Sequence, residues 1–151
     1  MFDAPDFVVD WGVARIEGKR VDAYLVRLEA MIDRYAPDII ALPDPADYRK
    51  SALRRQLAAA LVRRTSLRRL LIRLVSKDEI RRTFPAQSRT KYDRAVFLTS
   101  VLPDLREILP PPRKLWTSED ARMYVFDALC FTLATPEGEA FTADAANRTV
   151  Y

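Results

Sequence analysis

The stretch VDAYLVRLEAMIDRYAPDIIAL, residues 21–42, changes its hydrophobic period within a few residues and thereby decides the fold class. From Val21 to Tyr35 the apolar residues recur at helical spacing with charged residues between them, which predicts an amphipathic helix that Pro37 closes. Residues Ile39–Leu42 then form a short, continuous apolar run, the pattern of a strand buried on both faces. A helix followed by a buried strand is typical of an α/β protein with a parallel sheet.

The segments on either side continue this alternation of strands and helices. Phe7–Ile16 is rich in β-formers and predicts a first strand, which a turn at Glu17–Arg20 ends. After a loop at Pro43–Pro45, Ser51–Arg64 predicts a helix and Leu67–Val75 predicts a further strand. The order of elements therefore indicates an α/β domain with an at least partly parallel sheet.

The C-terminal half is predicted to be mainly helical. A capping box at Ser76–Glu79 predicts a helix over Ser76–Phe84, and TKYD at 90–93 predicts the start of another helix that runs to Val101. Pro110–Pro112 is a stiff, extended connection to a last helix over Trp116–Ala134. Residues 135–151 are mostly small and polar, so we expect a loosely held tail.

Composition limits the possible classes of function. The 151 residues, 49% of them hydrophobic, match one globular domain, predicted here over residues 1–134. No apolar run approaches the length of a membrane span and no basic leader precedes an apolar stretch, so no membrane partner is expected. The single cysteine, Cys130, lies in an apolar segment and indicates a core residue in a reducing, cytoplasmic compartment.

The chain contains no histidine, which excludes Ser-His and Cys-His nucleophilic chemistry and the usual zinc sites within one chain. Its three glycines, Gly12, Gly18 and Gly138, form no phosphate-binding loop, which argues against ATP or dinucleotide binding. Any metal chemistry would be carboxylate chemistry, and that favours Mg²⁺ or Mn²⁺.

Three carboxylates stand on the predicted C-terminal helix, WTSEDARMYVFDALCFTLA. Glu119 and Asp120 are expected in its first turn, where acidic residues complement the helix dipole, so they can be helix caps or ligands. Asp127 lies about two turns after Asp120, on nearly the same face. Because burying a bare carboxylate costs several kcal/mol, Asp127 must face a solvated edge, a basic partner or a metal.

Positive charge is concentrated in the middle of the chain. Residues 49–82 carry 12 basic and 2 acidic residues, whereas residues 1–48 carry 5 and 10 and residues 83–151 carry 8 and 9. Such a run is often only a solvated helix face, but the near absence of acids favours a polyanion such as nucleic acid, bound in a salt-dependent way. Paired arginines suit bidentate contacts to phosphate. The predicted contacts are Arg49, Lys50, Arg54, Arg55, Arg63, Arg64, Arg68 and Arg69.

Two parts of the chain resemble the RuvC-type branch of the RNase H-like superfamily, which contains the Holliday-junction resolvases. The first is YAPDIIAL at 35–42, followed by the basic helix, a strand, SKDEI at 76–80 and TKYD at 90–93. The second is WTSED at 116–120 with FDA at 126–128, which resembles the C-terminal catalytic helix of that branch. The likeness covers residues 7–134 and implies an RNase H-like mixed sheet flanked by helices.

The resemblance implies a nuclease that hydrolyses phosphodiester bonds of structured DNA with two divalent ions, Mg²⁺ or Mn²⁺, held by carboxylates. Carried over by position, Asp127 matches the metal ligand of the last helix, and Glu119 or Asp120 an auxiliary ligand. Asp44 falls near the ligand that follows the central strand, although Pro43 stands where a glutamate is common. The implied catalytic residues are Asp127, Asp120 and Asp44.

The chain departs from this branch near its N-terminus. Asp10 is either the aspartate of the first strand, and then a metal ligand, or an ordinary residue of a later strand, and then the first strand is missing. Three hypotheses follow: an active nuclease, a degenerate RNase H-like module that binds nucleic acid or a protein without cleavage, or a chain whose translation begins upstream of Met1. The resemblance also implies a homodimer, which an exposed sheet edge would favour.

Overall fold

A computed structural model describes residues 2–3, 7–8, 10, 13, 21–48, 51–65 and 70–135. The contacts of the chain divide it into two compact units. We call Ala14–Lys77 the βαβ unit, and Met1–Val13 together with Asp78–Tyr151 the helical unit. The structure mixes helices and strands, in agreement with the predicted α/β class.

Two short strands open the helical unit. Strand β1, Phe2–Asp3, pairs antiparallel with strand β2, Phe7–Val8. The single strand predicted over Phe7–Ile16 is too long, because Asp10 and Val13 lie outside any strand. Asp10 is exposed and belongs to neither of the strands to which the sequence assigned it.

The βαβ unit begins with helix α1, Val21–Tyr35, and strand β3, Ile39–Pro43, at the predicted positions. Ala36 ends the helix with φ at 41°, and its N–H donates to the Ile32 carbonyl at 2.8 Å. This left-handed conformation is a common helix end, although glycine adopts it more readily than alanine. Pro37 follows and prevents the helix from continuing.

Helix α2, Ala52–Thr65, connects β3 to strand β4, Leu71–Val75. The two strands pair in parallel, with Ile40 opposite Ile72, and a parallel pair requires such a crossover connection. The strand that the sequence predicted over Leu67–Val75 begins too early, because Leu70 lies outside β4.

Both helices of the βαβ unit pack against one face of this parallel pair. Leu25 and Ile32 of α1 and Leu61 of α2 are buried there. The strand residues that pack against them include Ile40, Leu42 and Ile72. All five residues of β3 are only half-buried, so the burial of both faces that the sequence predicted is incomplete in a sheet of two strands.

The helical unit contains most of the remaining elements. Helix α3 crosses the boundary between the units, and helices α4 and α5 are separated by a short 3-10 helix. Their bounds are Lys77–Thr83 for α3, Lys91–Val101 for α4, Pro103–Ile108 for the 3-10 helix and Met123–Leu133 for α5. Helix α4 begins where the sequence predicted, and a capping box closes its start, because Thr90 and Asp93 each accept the other's backbone N–H through their side chains.

The last helix is shorter than predicted. It begins at Met123, whereas the sequence predicted a helix from Trp116. Glu119 and Asp120 therefore precede the helix, and the prediction that Asp120 shares a helix face with Asp127 is wrong.

A local side-chain arrangement explains the late start of α5. The Asp120 carboxylate accepts the Arg122 backbone N–H at 2.9 Å and two guanidinium N–H groups at 3.1 and 2.7 Å. Aspartate that bonds its neighbouring backbone in this way offers an alternative to helical hydrogen bonds. The first turn predicted for the helix is thus replaced by a turn closed on Asp120.

Helices α4 and α5 pack together and supply the core of the helical unit. Leu98 of α4 and Phe126 and Leu133 of α5 are each at most 1% exposed. Phe84 and Phe97 meet edge to face, with ring centroids 5.7 Å apart. Within the described ranges no helix is long and apolar enough to cross a membrane.

Some predictions concern residues outside the described ranges. They are the turn at Glu17–Arg20, the contacts assigned to Arg49, Lys50, Arg68 and Arg69, and the tail beyond Thr135.

Candidate functional site

Two of the predicted carboxylates meet on one lysine. The Lys91 Nζ lies 2.6 Å from the Asp127 Oδ2 and 3.2 Å from the Glu119 Oε2. Lys91 is the first residue of α4, Asp127 is in the middle of α5, and Glu119 belongs to the segment before α5. The three side chains therefore connect three parts of the helical unit through one cation.

The ion pairs of Lys91 affect its own charge. Partial burial alone would lower its pKa, but the hydrogen bonds and charges of Asp127 and then of Glu119 act in the opposite direction, and the pKa is raised overall. Lys91 is therefore a stable ammonium at neutral pH. Of the three partners that the sequence allowed for Asp127, a basic side chain is the one that the structure provides.

Asp120 has a different partner from the one that the metal-ligand hypothesis requires. Its hydrogen bonds from Arg122, followed by the charge of that side chain, lower the pKa of the carboxyl group to about 2. The pair is exposed to solvent, so it orders the turn before α5 rather than forming a buried site.

Asp44 lies in the βαβ unit, directly after β3. Its backbone N–H donates to the Val75 carbonyl at 2.8 Å, which extends the pairing of β3 with β4. Its Oδ1 accepts the Ala46 N–H at 2.8 Å and so caps a short 3-10 helix at Pro45–Tyr48. Asp47 of that helix accepts the Lys77 backbone N–H at 2.6 Å, at the start of α3.

The described carboxylates form no metal centre of the kind that the sequence suggested. In the part of the chain that the structure describes, no three Asp, Glu, Cys or His side chains are grouped so that they could hold a metal ion. Glu119 and Asp127 come together, but Lys91 lies between them and pairs with both, and Asp44 and Asp120 use oxygens in local hydrogen bonds. The carboxylates as they stand do not fit a two-metal site.

Cys130 is buried in α5, as predicted for a core residue. Burial raises the pKa of its thiol to about 12, and the nearby Arg94 only partly opposes this effect. Such a thiol is an inert core group at neutral pH.

The arginines of α2 are the predicted nucleic-acid contacts that the structure describes. Arg54, Arg55, Arg63 and Arg64 are all exposed, and α2 contains no acidic residue. The first pair lies in the first turn of the helix and the second pair in its last turn, about 14 Å apart along the axis. Arg64 also forms an ion pair with Glu29 of α1, so it has a structural role as well.

Sequence reasoning missed Lys91, although a signal was available. A cation in the first turn of a helix opposes the helix dipole, so a lysine directly after the Thr90 cap requires another source of stabilisation. Asp127, the carboxylate without a local role, was the available partner. Arg122 was also missed. Both omissions arose because the carboxylates were assessed without the cations nearest to them.

Comparison with protein-family models, with curated proteins and with solved structures finds no match to this chain.

Proposed function

We propose that this chain is a nucleic-acid-binding module that contacts the phosphate backbone through the arginines of α2 and does not cleave it. The observation that carries the proposal is the composition of α2, which exposes four arginines and has no acidic residue. A surface that serves only solubility usually mixes both signs of charge. Arginine at this density suits phosphate, to which its guanidinium donates two parallel hydrogen bonds.

The position of Arg54 and Arg55 supports the same proposal. Both lie in the first turn of α2, after Ser51, whose hydroxyl accepts the Arg54 N–H at 3.4 Å. A cation at this end of a helix is unfavourable by about 0.3–1 kcal/mol, because it meets the positive end of the dipole. The same arrangement adds the dipole to the two side-chain charges and attracts anions. These arginines therefore favour the binding of phosphate, although they destabilise the start of α2.

The carboxylates support the non-cleaving form of the proposal. In an RNase H-like nuclease they would hold metal ions, and here Lys91 occupies the position between Glu119 and Asp127. We therefore propose that the RuvC-like resemblance reflects ancestry and nucleic-acid binding but not catalysis. Lys91, Glu119 and Asp127 instead stabilise the helical unit.

The test is a binding titration at several salt concentrations. Fluorescence anisotropy with labelled DNA should give an affinity whose logarithm falls linearly with the logarithm of the salt concentration. Chelator should leave the affinity unchanged, and the DNA should remain intact with millimolar Mg²⁺ or Mn²⁺. If no binding of DNA is detected at low salt, the proposal is contradicted. Sedimentation of the same samples would test the homodimer that the resemblance implies.

A metal-dependent nuclease is the second candidate. It is favoured by the convergence of Glu119 and Asp127 on a single cation, since the same two carboxylates could bind a metal if Lys91 were displaced. This candidate predicts cleavage of branched DNA with Mg²⁺ or Mn²⁺ that is lost in Asp127→Asn. Intact DNA with either metal, for both the native chain and Lys91→Ala, would exclude it.

A further inference from the structure

A tight turn at Lys114–Thr117 presents two large apolar side chains to solvent. Leu115 is 94% exposed and Trp116 is 81% exposed, more than any other large apolar side chain in the described part of the chain. Single exposed apolar residues are normal on a protein surface and large contiguous apolar patches mark interaction sites; these two side chains are adjacent and almost fully exposed.

The backbone of this turn is held by three hydrogen bonds. The Thr117 N–H and hydroxyl both donate to the Lys114 carbonyl, at 3.1 and 3.0 Å. The Arg113 Nε–H donates to the Thr117 carbonyl at 2.6 Å. Pro110–Pro112, which only Arg113 separates from the turn, restricts the approaching chain further. The exposed pair is thus presented in an ordered form, which lowers the entropy that a partner must overcome on binding.

The turn is positively charged. The Lys114 Nζ lies 6.0 Å from the centre of the Trp116 ring, within the range of a cation–π contact, and Arg113 is exposed beside it. The next acidic residues along the chain, Glu119 and Asp120, form ion pairs with Lys91 and Arg122, and Glu119 shares Lys91 with Asp127. An aromatic surface flanked by cations is complementary to a nucleotide, which has a flat base and an anionic phosphate.

We propose that the Lys114–Thr117 turn binds unpaired nucleotides, with a base stacked on Trp116 and the adjoining phosphates on Lys114 and Arg113. This inference rests on the proposed nucleic-acid binding and gives its substrate class, single-stranded nucleic acid. Stacking on a side chain requires a base whose face is open, and in a duplex the neighbouring base pairs cover both faces. The α2 arginines read only phosphate, so the turn is what distinguishes single strands from duplexes.

An anionic membrane is the competing partner, because tryptophan and leucine beside basic residues also occur at membrane surfaces. Two cations and two apolar side chains are too few for stable anchoring to a bilayer. One aromatic ring with an adjacent cation is sufficient for a stacked nucleotide. Single-stranded nucleic acid is therefore the partner that this turn fits.

The test compares two nucleic acids with three variants of the full chain. Anisotropy measures binding of a labelled oligothymidine and of a blunt hairpin duplex with the same number of nucleotides. Trp116→Ala should weaken oligothymidine binding by about tenfold or more and leave duplex binding nearly unchanged. Trp116→Phe should retain most of the affinity. Tyr124→Ala removes another exposed aromatic side chain of the helical unit, 55% exposed, and should change neither affinity.

Three outcomes would overturn the inference, and each has a distinct meaning. If Trp116→Ala binds oligothymidine as tightly as the native chain, the turn has no role in nucleic-acid binding and the proposed function stands without it. If the native chain binds neither nucleic acid, the proposed function itself fails. If native protein but not Trp116→Ala sediments with phosphatidylcholine–phosphatidylserine vesicles while oligothymidine binding is unaltered, the turn binds membranes. Equal urea unfolding of Trp116→Ala and the native chain is the folding control.

Discussion

Lys91 gives the acidic residues around it a structural role. Asp127 is a partly buried carboxylate on an apolar helix, a feature that indicates a functional site when the residue is considered alone. With Lys91 at 2.6 Å it becomes one member of a structural network that also includes Glu119. The network links the first turn of α4 to the middle of α5, and its contribution can be measured as stability.

A double-mutant cycle on Lys91 and Asp127 should give a coupling free energy of about 1 kcal/mol. Lys91→Met, Asp127→Asn and the double variant would be compared by urea unfolding at neutral pH. The solvent-exposed pair Arg81–Asp78 is the control, and Arg81→Met with Asp78→Asn should show little coupling. Equal coupling in the two cycles would contradict a special role for Lys91.

The contribution of the same network to the free energy of unfolding should depend on pH, with a sign that follows from the raised pKa of Lys91. The pKa of Lys91 is raised by folding, so its stabilisation is complete below the ordinary lysine value of 10.5 and is lost as the pH rises through the folded value. The difference in unfolding free energy between the native chain and Lys91→Met should therefore be constant from neutral pH to pH 9 and decrease above about pH 10.5. A difference that increases at alkaline pH would show that the sign is wrong.

Cys130 should be chemically inert while the chain is folded. Its buried thiol has a pKa of about 12, so little thiolate is present at pH 8. Reaction with Ellman's reagent should be at least about a hundredfold slower in native protein than in urea-unfolded protein. The chain has a single cysteine, so the signal reports this residue alone. Similar rates in the two states would mean that α5 opens readily.

The candidate site was only partly predictable from the sequence. The acidic residues and arginines are visible as residue types, and Asp127 stands out because no local hydrogen bond explains it. Its ion pair with Lys91 spans 36 positions, a long-range contact that periodicity and spacing do not contain. The exposure of Leu115 and Trp116 was not predicted, because exposure is a property of the folded chain.

At the scale of secondary structure, the end of α1 illustrates a local strain. Ala36 adopts a positive φ that its Cβ makes unfavourable, and glycine would adopt it without that penalty. Ala36→Gly should therefore raise the free energy of unfolding by about 0.5–1 kcal/mol.

Urea unfolding checks this prediction, and the matched control is Ala30→Gly, at an exposed position inside α1. There the same substitution should lower the free energy of unfolding by about 0.5–1 kcal/mol. Destabilisation by both variants would show that the left-handed conformation at Ala36 carries no strain.

Elements with local signals were predicted well. The bounds of α1 and the start of α4 follow from helical periodicity, Pro37 and the Thr90–Asp93 capping box, all of which act within a few residues. The start of α5 was wrong because Asp120 pairs with Arg122, a choice between two local arrangements that propensity alone does not decide. The pairing of β1 with β2 was missed because each strand has only two residues.

For the whole molecule, the α/β class could be predicted but the arrangement of the sheet could not. The predicted order of strands and helices fits the parallel pair of β3 and β4 joined by α2. Instead of one mixed sheet, the described strands form two separate pairs, because partners of strands depend on contacts between distant residues. The RNase H-like relationship therefore stays a prediction, and the distribution of charge carries the proposed function.

The most direct test of nucleic-acid binding by α2 compares two charge-matched variants. Arg54→Ser with Arg55→Ser removes two charges from the start of α2, and Arg81→Ser with Arg82→Ser removes two from α3. Binding of labelled oligothymidine would be measured by anisotropy over a range of salt concentrations. We predict that the α2 variant binds more weakly and that the slope of its salt dependence is reduced by about 1.4, which is about 0.7 for each of the two lost phosphate contacts, while the α3 variant retains nearly the native slope. Equal effects of the two variants, or unaltered binding by the α2 variant, would contradict the proposed function.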